Sequence, residues 1–317
     1  MDTAPQFEKC TITGAAGFIG AHLARALITQ GAQAVSGIDN LLYGDWANLG
    51  SFSDKVETTT SDIALMDEEQ MARALGGTDT LFHFAAQKLN NLTSEADLLA
   101  SNVVATERLA RVAARVGVRR IIFASSLYAY GRHSGTAVSE TDVPEPGTLY
   151  GVSKLTGEGI LRTMALGEGI ETVSLRLFFV FGPRQYAGTG YPSVIVRNFS
   201  RMMKGEAPTI RGNGDQSLDY TYIDDFVDAI LRAAYAPCSG QIINLGSGKS
   251  TSINRLTAMM REVCGCRLDP LHIEADWTEG TDRFADVSKA EKLLSWRAST
   301  SLEAGLENTY RWLKDKS

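Results

Sequence analysis

Cys10-Thr-Ile-Thr-Gly-Ala-Ala-Gly-Phe-Ile-Gly20 decides the fold of this chain. A strand-forming run ends at Thr13, glycines follow at Gly14, Gly17 and Gly20, and an amphipathic helical pattern runs from Phe18 to Thr29. Glycines let the backbone turn sharply and approach a ligand closely, and the first N–H groups of the helix then attract a pyrophosphate. Strand before and helix after are the context that gives the pattern weight. The second strand ends in Gly37-Ile-Asp39. A carboxylate there accepts hydrogen bonds from an adenosine ribose and repels a 2′-phosphate, so NAD is expected and not NADP. Asp62 and Ile63, after the third strand, are expected at the adenine edge, although an Asp that caps the next turn would read identically.

Working outward, strands are expected at Cys10 to Thr13, Ala34 to Ile38, Val56 to Thr60, Thr80 to Phe84, Arg120 to Ala124 and Thr172 to Leu177. Helices are expected at Phe18 to Thr29, Glu68 to Leu75, Asp97 to Val116 and Tyr150 to Leu166. Unbroken alternation predicts an α/β fold, a doubly wound parallel Rossmann sheet with helices on both faces. After Gly182-Pro183-Arg184 the rhythm changes to a Gly/Tyr/Pro-rich loop, Gln185 to Pro192, then a helix to about Lys204 and shorter elements. Residues 1–180 therefore read as the dinucleotide domain, and residues 181–317 as a smaller, interleaved α/β substrate lobe. Ligands of open α/β sheets lie outside the carboxyl ends of the strands, so substrate is expected between the two.

The 317 residues are 44% hydrophobic and 21% charged, an ordinary globular composition. A net charge of -6, a pI near 5.4 and the lack of a lysine/arginine block argue against a nucleic-acid or anionic-membrane surface. No apolar run approaches the ~20 residues of a membrane span, and Met1 to Lys9 is short and polar for a secretory leader. A cytoplasmic protein is expected. Cys10, Cys238, Cys264 and Cys266 show no disulfide framework, and His22, His83, His133 and His272 are scattered, so no metal site is expected. Gly246-Ser-Gly-Lys-Ser-Thr251 resembles the end of a P-loop, but Ile243 stands where that motif needs glycine. A helix start explains this segment better.

The chemistry is carried by Ser126, Tyr150 and Lys154, the last two within Tyr150-Gly-Val-Ser-Lys154. Residues four apart share a helix face, so the Lys154 ammonium can sit beneath the Tyr150 phenol. A free tyrosine titrates near ~10; a neighbouring cation and the positive nicotinamide ring both stabilise its anion. A shift of about three units, worth about 4 kcal/mol, would make Tyr150 a base near neutrality. The Ser126 hydroxyl would hold the same substrate oxygen in line.

These segments are joined by Asp39-Asn40-Leu41, His83-Phe-Ala-Ala-Gln87, Asn102 with Thr106, Ser125-Ser126, Tyr130-Gly131 and Phe181-Gly-Pro-Arg184. Tyr222-Ile-Asp-Asp225, Asn244-Leu-Gly-Ser-Gly248 and Ala285-Asp-Val-Ser-Lys289 complete the set. Over essentially its full length the chain thus resembles the extended short-chain dehydrogenase/reductase family, in particular its nucleotide-sugar epimerases and dehydratases. The resemblance implies NAD contacts from Gly14, Gly17, Phe18, Ile19 and Gly20, from Asp39, Asn40, Asp62 and Ile63, from Phe84, Ala85, Ala86 and Asn102, and from Tyr150 and Lys154. It implies a UDP-linked sugar met by Lys88, Ser126, Ser193 and Val194, and Tyr128, Phe179, Arg211 and Arg283 are the further candidate contacts where this chain departs from the family. Tyr150 would be the base for the 4-hydroxyl, Ser126 its orienting partner, and Lys154 the group that lowers the Tyr150 pKa and binds ribose. The family also implies a homodimer, with Leu98, Leu99 and Val103 against Val152, Leu155 and Gly159; the same positions are compatible with packing inside one chain.

Departures from the family bear on the reaction. Leu127 and Tyr128 stand where 4,6-dehydratases carry an Asp-Glu pair, which argues against that reaction and leaves Tyr128 as an unusual candidate proton donor. Phe179 replaces an epimerase asparagine, Leu218 replaces an arginine that helps hold the diphosphate, and Trp277-Thr-Glu-Gly280 replaces an Arg-Pro-Gly stretch. Arg211 and Arg283 are the candidate substitutes, since a guanidinium grips phosphate well. The expected function is transient C4 oxidation of a UDP-hexose or hexosamine, most simply by a 4-epimerase. The alternatives are a UDP-N-acetylglucosamine 5,6-dehydratase of tunicamycin-type antibiotic biosynthesis, an oxidoreductase that releases NADH, and a catalytically silent NAD-binding module.

Overall fold

Strands at the centre of the sheet are buried along their whole length, as a sheet covered on both faces requires. The computed structural model describes residues 7–88, 93–133, 135–185, 193–275 and 278–316. In chain order its first half runs β1 (Lys9–Thr13), α1 (Phe18–Thr29), β2 (Ala34–Asp39), β3 (Val56–Thr60), α2 (Glu68–Leu75), β4 (Thr80–His83), α3 (Glu95–Leu99), α4 (Ala105–Arg115), β5 (Arg120–Ser126), α5 (Leu149–Gly167) and β6 (Glu171–Leu177). There follow β7 (Phe179–Phe181), α6 (Val194–Met203), β8 (Thr209–Arg211), β9 (Ser217–Leu218), β10 (Tyr220–Tyr222), α7 (Ile223–Ala233) and β11 (Gln241–Leu245). The chain closes with β12 (Thr251–Ser252), α8 (Ile253–Cys264), β13 (Leu271–Ile273), β14 (Asp282–Arg283), α9 (Ser288–Leu294) and α10 (Leu302–Asp315).

Among the described residues the main sheet has the order β11-β6-β5-β4-β1-β2-β3, and every neighbouring pair is parallel. Successive side chains of a strand point to opposite faces. Ile12, Phe82, Ile122 and Val173 accordingly join α1 and α7 in one core. Leu81, Ile121 and Phe123 join α2, α4 and Leu161 of α5 in the other. The strand order reverses at β1, which lies between β2 and β4, and this opens a crevice at the carboxyl ends of β1 and β4.

Two differences from the sequence reading shape the site. The single helix expected over Asp97 to Val116 is broken: a π-helical turn, Ala100–Val104, joins α3 to α4. The strand expected to reach Phe84 stops at His83, although the Phe84 N–H still donates to Thr13 O at 3.1 Å. Beyond residue 180, β7 pairs with β10 and β8 with β13, while β9 lies between β12 and β14. β11 instead returns to the main sheet beside β6, with Gln241 opposite Val173 and Leu245 opposite Leu177. Of the Gly/Tyr/Pro-rich loop, Tyr186 to Pro192 lies outside the described residues, as does Trp277.

Candidate functional site

Gly14 has φ +77°, and a Cβ there would stand 2.8 Å from the Ala85 backbone nitrogen. At Gly20 a Cβ would stand 2.1 Å from Gly14 O. Only glycine permits this closeness of turn, β4 end and helix. Gly17 caps α1 without a side-chain cap bond, and no acidic residue occupies the first turn, so the positive end of the helix is left for an anion. Phe18 and Ile19 turn their side chains to the core, leaving their backbone to face the turn.

Asp39 is 8% exposed. Its Oδ2 accepts from the Ala16 N–H at 3.0 Å and its Oδ1 from the Leu41 N–H at 2.8 Å. Burial pushes its pKa up, and these backbone donors oppose the shift. Exposed Asn40 donates from Nδ2 to Asp62 Oδ2 at 2.9 Å, while Asp62 Oδ1 accepts from the Ala64 N–H at 2.8 Å, so Asp62 caps its turn and also ties the ends of β2 and β3. Gly14, Gly17, Asp39, Asp62, Ile63 and Phe84 to Ala86 line one cleft. A turn closed to any side chain, an uncapped helix start and a carboxylate on β2 fit a dinucleotide such as NAD.

Ser126 ends β5, accepts the Tyr128 N–H at 3.3 Å and stands close enough to the Tyr150 phenol to favour its anion. Thr148 caps α5 by accepting the Gly151 N–H at 3.1 Å, which fixes the helix start that presents Tyr150. Lys154 sits one turn on, 2% exposed, with Nζ 5.7 Å from the centre of the Tyr150 ring and donating to Ala124 O at 2.7 Å. Burial lowers its pKa to about 7, helped by repulsion from Lys88, while Glu158 opposes the shift. Tyr150 departs from the expectation of a lowered pKa. In the protein alone, burial and then Tyr128 push the phenol above its ordinary value, with only the neighbouring Ser126 hydroxyl acting to lower it. A charged ligand is therefore needed to make Tyr150 acidic. Lys88 itself is exposed, near enough to Lys154 to repel its charge.

Sequence reading missed a buried relay behind these groups. His83 Nδ1 meets Thr13 Oγ1 at 2.7 Å and Nε2 meets Thr106 Oγ1 at 2.9 Å, and that threonine donates to Asn102 O at 2.8 Å. Asn102 accepts the Gln87 N–H at 2.7 Å and donates to Gln87 O at 2.8 Å and Ser153 Oγ at 3.0 Å; Ser153 donates to Tyr150 O at 2.8 Å. The Asn102 amide, expected among the cofactor contacts, is spent on holding the loop after β4 against α5. Burial, then Lys154, lowers the His83 pKa to about 3, so the imidazole is neutral. A histidine read as scattered proves to be a link between the glycine turn and the tyrosine helix.

Of the residues expected to meet substrate, the Tyr128 ring stands edge-on to Tyr150 with centroids 5.6 Å apart. Tyr128 and Phe179 pack against one apolar cluster that includes Leu127, Tyr130 and Ala285. Ser193 caps α6 and donates to Gln185 Oε1 at 2.9 Å, and Val194 begins that helix. Arg211 ends β8, and Arg283, fully buried on β14, pairs in register with Leu218 of β9. The P-loop-like segment holds a carboxylate of its own chain. Buried Asp219 accepts from Ser247 N at 2.7 Å, Gly248 N at 3.0 Å and Ala285 N at 3.1 Å, and the following helix α8 is capped by Ser252.

The NAD dependent epimerase/dehydratase family matches residues 10–246. The chain is 32% identical to an uncharacterized UDP-glucose epimerase of Bacillus subtilis (strain 168), an alignment that covers 96% of this chain and 98% of that one. Among solved structures, the UDP-glucose 4-epimerase of Thermotoga maritima with UDP-glucose superposes with a TM-score of 0.89 at 31% identity, covering 97% and 99% of the two chains. The UDP-glucuronic acid 4-epimerase of Bacillus cereus, with UDP-glucuronic acid and NAD, superposes with a TM-score of 0.88 at 30% identity over 98% and 100%.

Proposed function

The chain belongs to the NAD-dependent epimerase/dehydratase family, and from that we propose that it oxidises C4 of a UDP-linked hexose or hexosamine and reduces it again within one turnover, most simply as a 4-epimerase. Bound NAD supplies the reversible two-electron acceptor for that carbon. Tyr150 takes the proton of the 4-hydroxyl and later returns it, Ser126 orients the same oxygen, and Lys154 supplies positive charge beneath the phenol. The observation that carries this reading is the contact of Ser126 with Tyr150, one turn from Lys154, beside the glycine-lined cleft.

Segments after residue 180 serve in this proposal as the sugar-nucleotide lobe, apart from β11 in the main sheet and α7, which packs on that sheet beside α1. Arg283 takes the diphosphate-binding duty of the arginine that Leu218 replaces: partners in register on adjacent strands present their side chains to the same face, and the two are such partners. Arg211 is the second proposed phosphate ligand. We also propose a homodimer through α3 and α5, supported by apolar Leu99 and Val152, which are 38% and 41% exposed. A Val152→Arg variant should sediment as a monomer; an unchanged mass would refute this face.

A 5,6-dehydratase of the antibiotic-biosynthesis type is a second reading, favoured by the second phenol, Tyr128, beside Tyr150. Product NMR with UDP-N-acetylglucosamine and NAD in deuterated water separates the two. An unlabelled product inverted at C4 supports the epimerase, deuterium at C5 or a vinyl signal supports the dehydratase, and accumulating NADH refutes both.

A further inference from the structure

Tyr150, Lys154 and Glu158 follow one another at four-residue intervals on α5 and so share a face. Glu158 is 4% exposed, and Arg176 reaches it from β6 with two bonds, Nε to Oε1 at 2.9 Å and Nη2 to Oε2 at 2.7 Å. The Ser125 hydroxyl, next to Ser126 on β5, donates to the same Oε1. Behind the guanidinium lies the Tyr130 ring, 4.3 Å from Cζ, and the Tyr130 hydroxyl donates to Asn244 Oδ1 at 2.7 Å. Asn244 in turn donates to Val138 O at 2.8 Å. Ser125, Tyr130 and Asn244, motif residues to which the reaction assigns no task, thus belong to one buried network centred on Glu158.

An ion pair buried this deeply costs desolvation that its own attraction seldom exceeds. Its placement one turn from Lys154 gives it a task. Lys154 hydrogen-bonds only a neutral carbonyl among its described contacts. Among the described residues the charges that act on it are Lys88 after β4 and Glu158 on its own helix, the latter paired with Arg176 of β6; His83 on β4 is neutral and Tyr150 protonated. We propose that Glu158 is a positioning residue of this site: its carboxylate, clamped by Arg176 and Ser125, keeps the Lys154 ammonium charged beneath Tyr150 and steadies the strand end that presents Ser126. The inference rests on the reading of Ser126, Tyr150 and Lys154 given above.

The test follows the lysine by NMR in cofactor-free protein carrying isotope-labelled lysine, with the Lys154 signal assigned by its loss in Lys154→Met. Removing a unit charge one helical turn away should lower the Lys154 titration midpoint in Glu158→Gln by about one unit or more. Glu158→Gln combined with Arg176→Met removes both charges and should bring the midpoint part of the way back. A folded Glu158→Gln protein with an unchanged midpoint overturns the proposal, as does a double variant that titrates lower than the single one. Should Glu158→Gln fail to fold, Arg176→Met alone must raise the midpoint, and no rise counts against the proposal. Turnover of UDP-sugars by the wild type is measured separately, so its failure refutes the functional reading while the titration alone judges Glu158.

Discussion

Asp39 and Ala16 are joined across the floor of the cleft, where the Ala16 N–H donates to Asp39 Oδ2 at 3.0 Å and holds the carboxylate beside the glycine turn. On the proposed reading, its negative charge is thereby set against a 2′-phosphate. Asp39→Ser should weaken NAD about 10- to 100-fold, the range of a lost charged hydrogen bond, and should narrow the gap to NADP. Calorimetric titration with both cofactors checks this; an unaltered NAD affinity would remove Asp39 from the site.

Tyr150→Phe keeps the ring that packs against Tyr128 and removes the hydroxyl beside Ser126. Turnover should fall by at least about 10²- to 10⁴-fold, the usual worth of a positioned acid–base group, with NAD binding retained. Near-normal turnover would refute the assignment of Tyr150 as base.

His83 makes acid stability pH-dependent. Its folded-state pKa is about 3, below the unfolded value of about 6.5, so protons enter the unfolded chain first. Stability present above pH ~6.5 is then lost progressively as pH falls toward the folded value, at about 1.4 kcal/mol per unit for this group. His83→Gln should therefore lose about 2 kcal/mol less than wild type between pH 6.5 and 5 in urea unfolding. Equal losses in the two proteins would show that His83 is protonated in the fold.

Gly20→Ala forces a Cβ to within 2.1 Å of Gly14 O. The first turn of α1 must move away from the glycine turn, at a cost of about 1–3 kcal/mol, and NAD affinity should drop with it. Thermal melts with and without NAD would show the loss; wild-type stabilisation by the cofactor would contradict the close approach.

Much of this was legible along the chain because it is local. α1 and α2 begin and end where periodicity puts them, and the glycine turn declares itself by its flanks. What was hidden is non-local or breaks the period. Glu158 and Arg176 lie 18 residues apart on different elements, and neither announces the other. Leu218 meets Arg283 only through strand register. Asn102 and Thr106 are spaced as in any α-helix, so the π turn leaves no mark on the apolar pattern. The acidity expected of Tyr150 counted the attraction of charges and omitted the cost of burying a phenolate.

That π turn also constrains how this stretch can change over generations. A π turn takes up one residue more than an α turn, so deleting one residue between Ala100 and Val104 would let the ladder close as regular α-helix and leave its two flanks near their present faces. Leu98 would keep its place in the core, while Asn102, inside the turn, would lose its clasp on Gln87. A gap of one, ruinous elsewhere in the helix, would here spare the scaffold and spoil the grip.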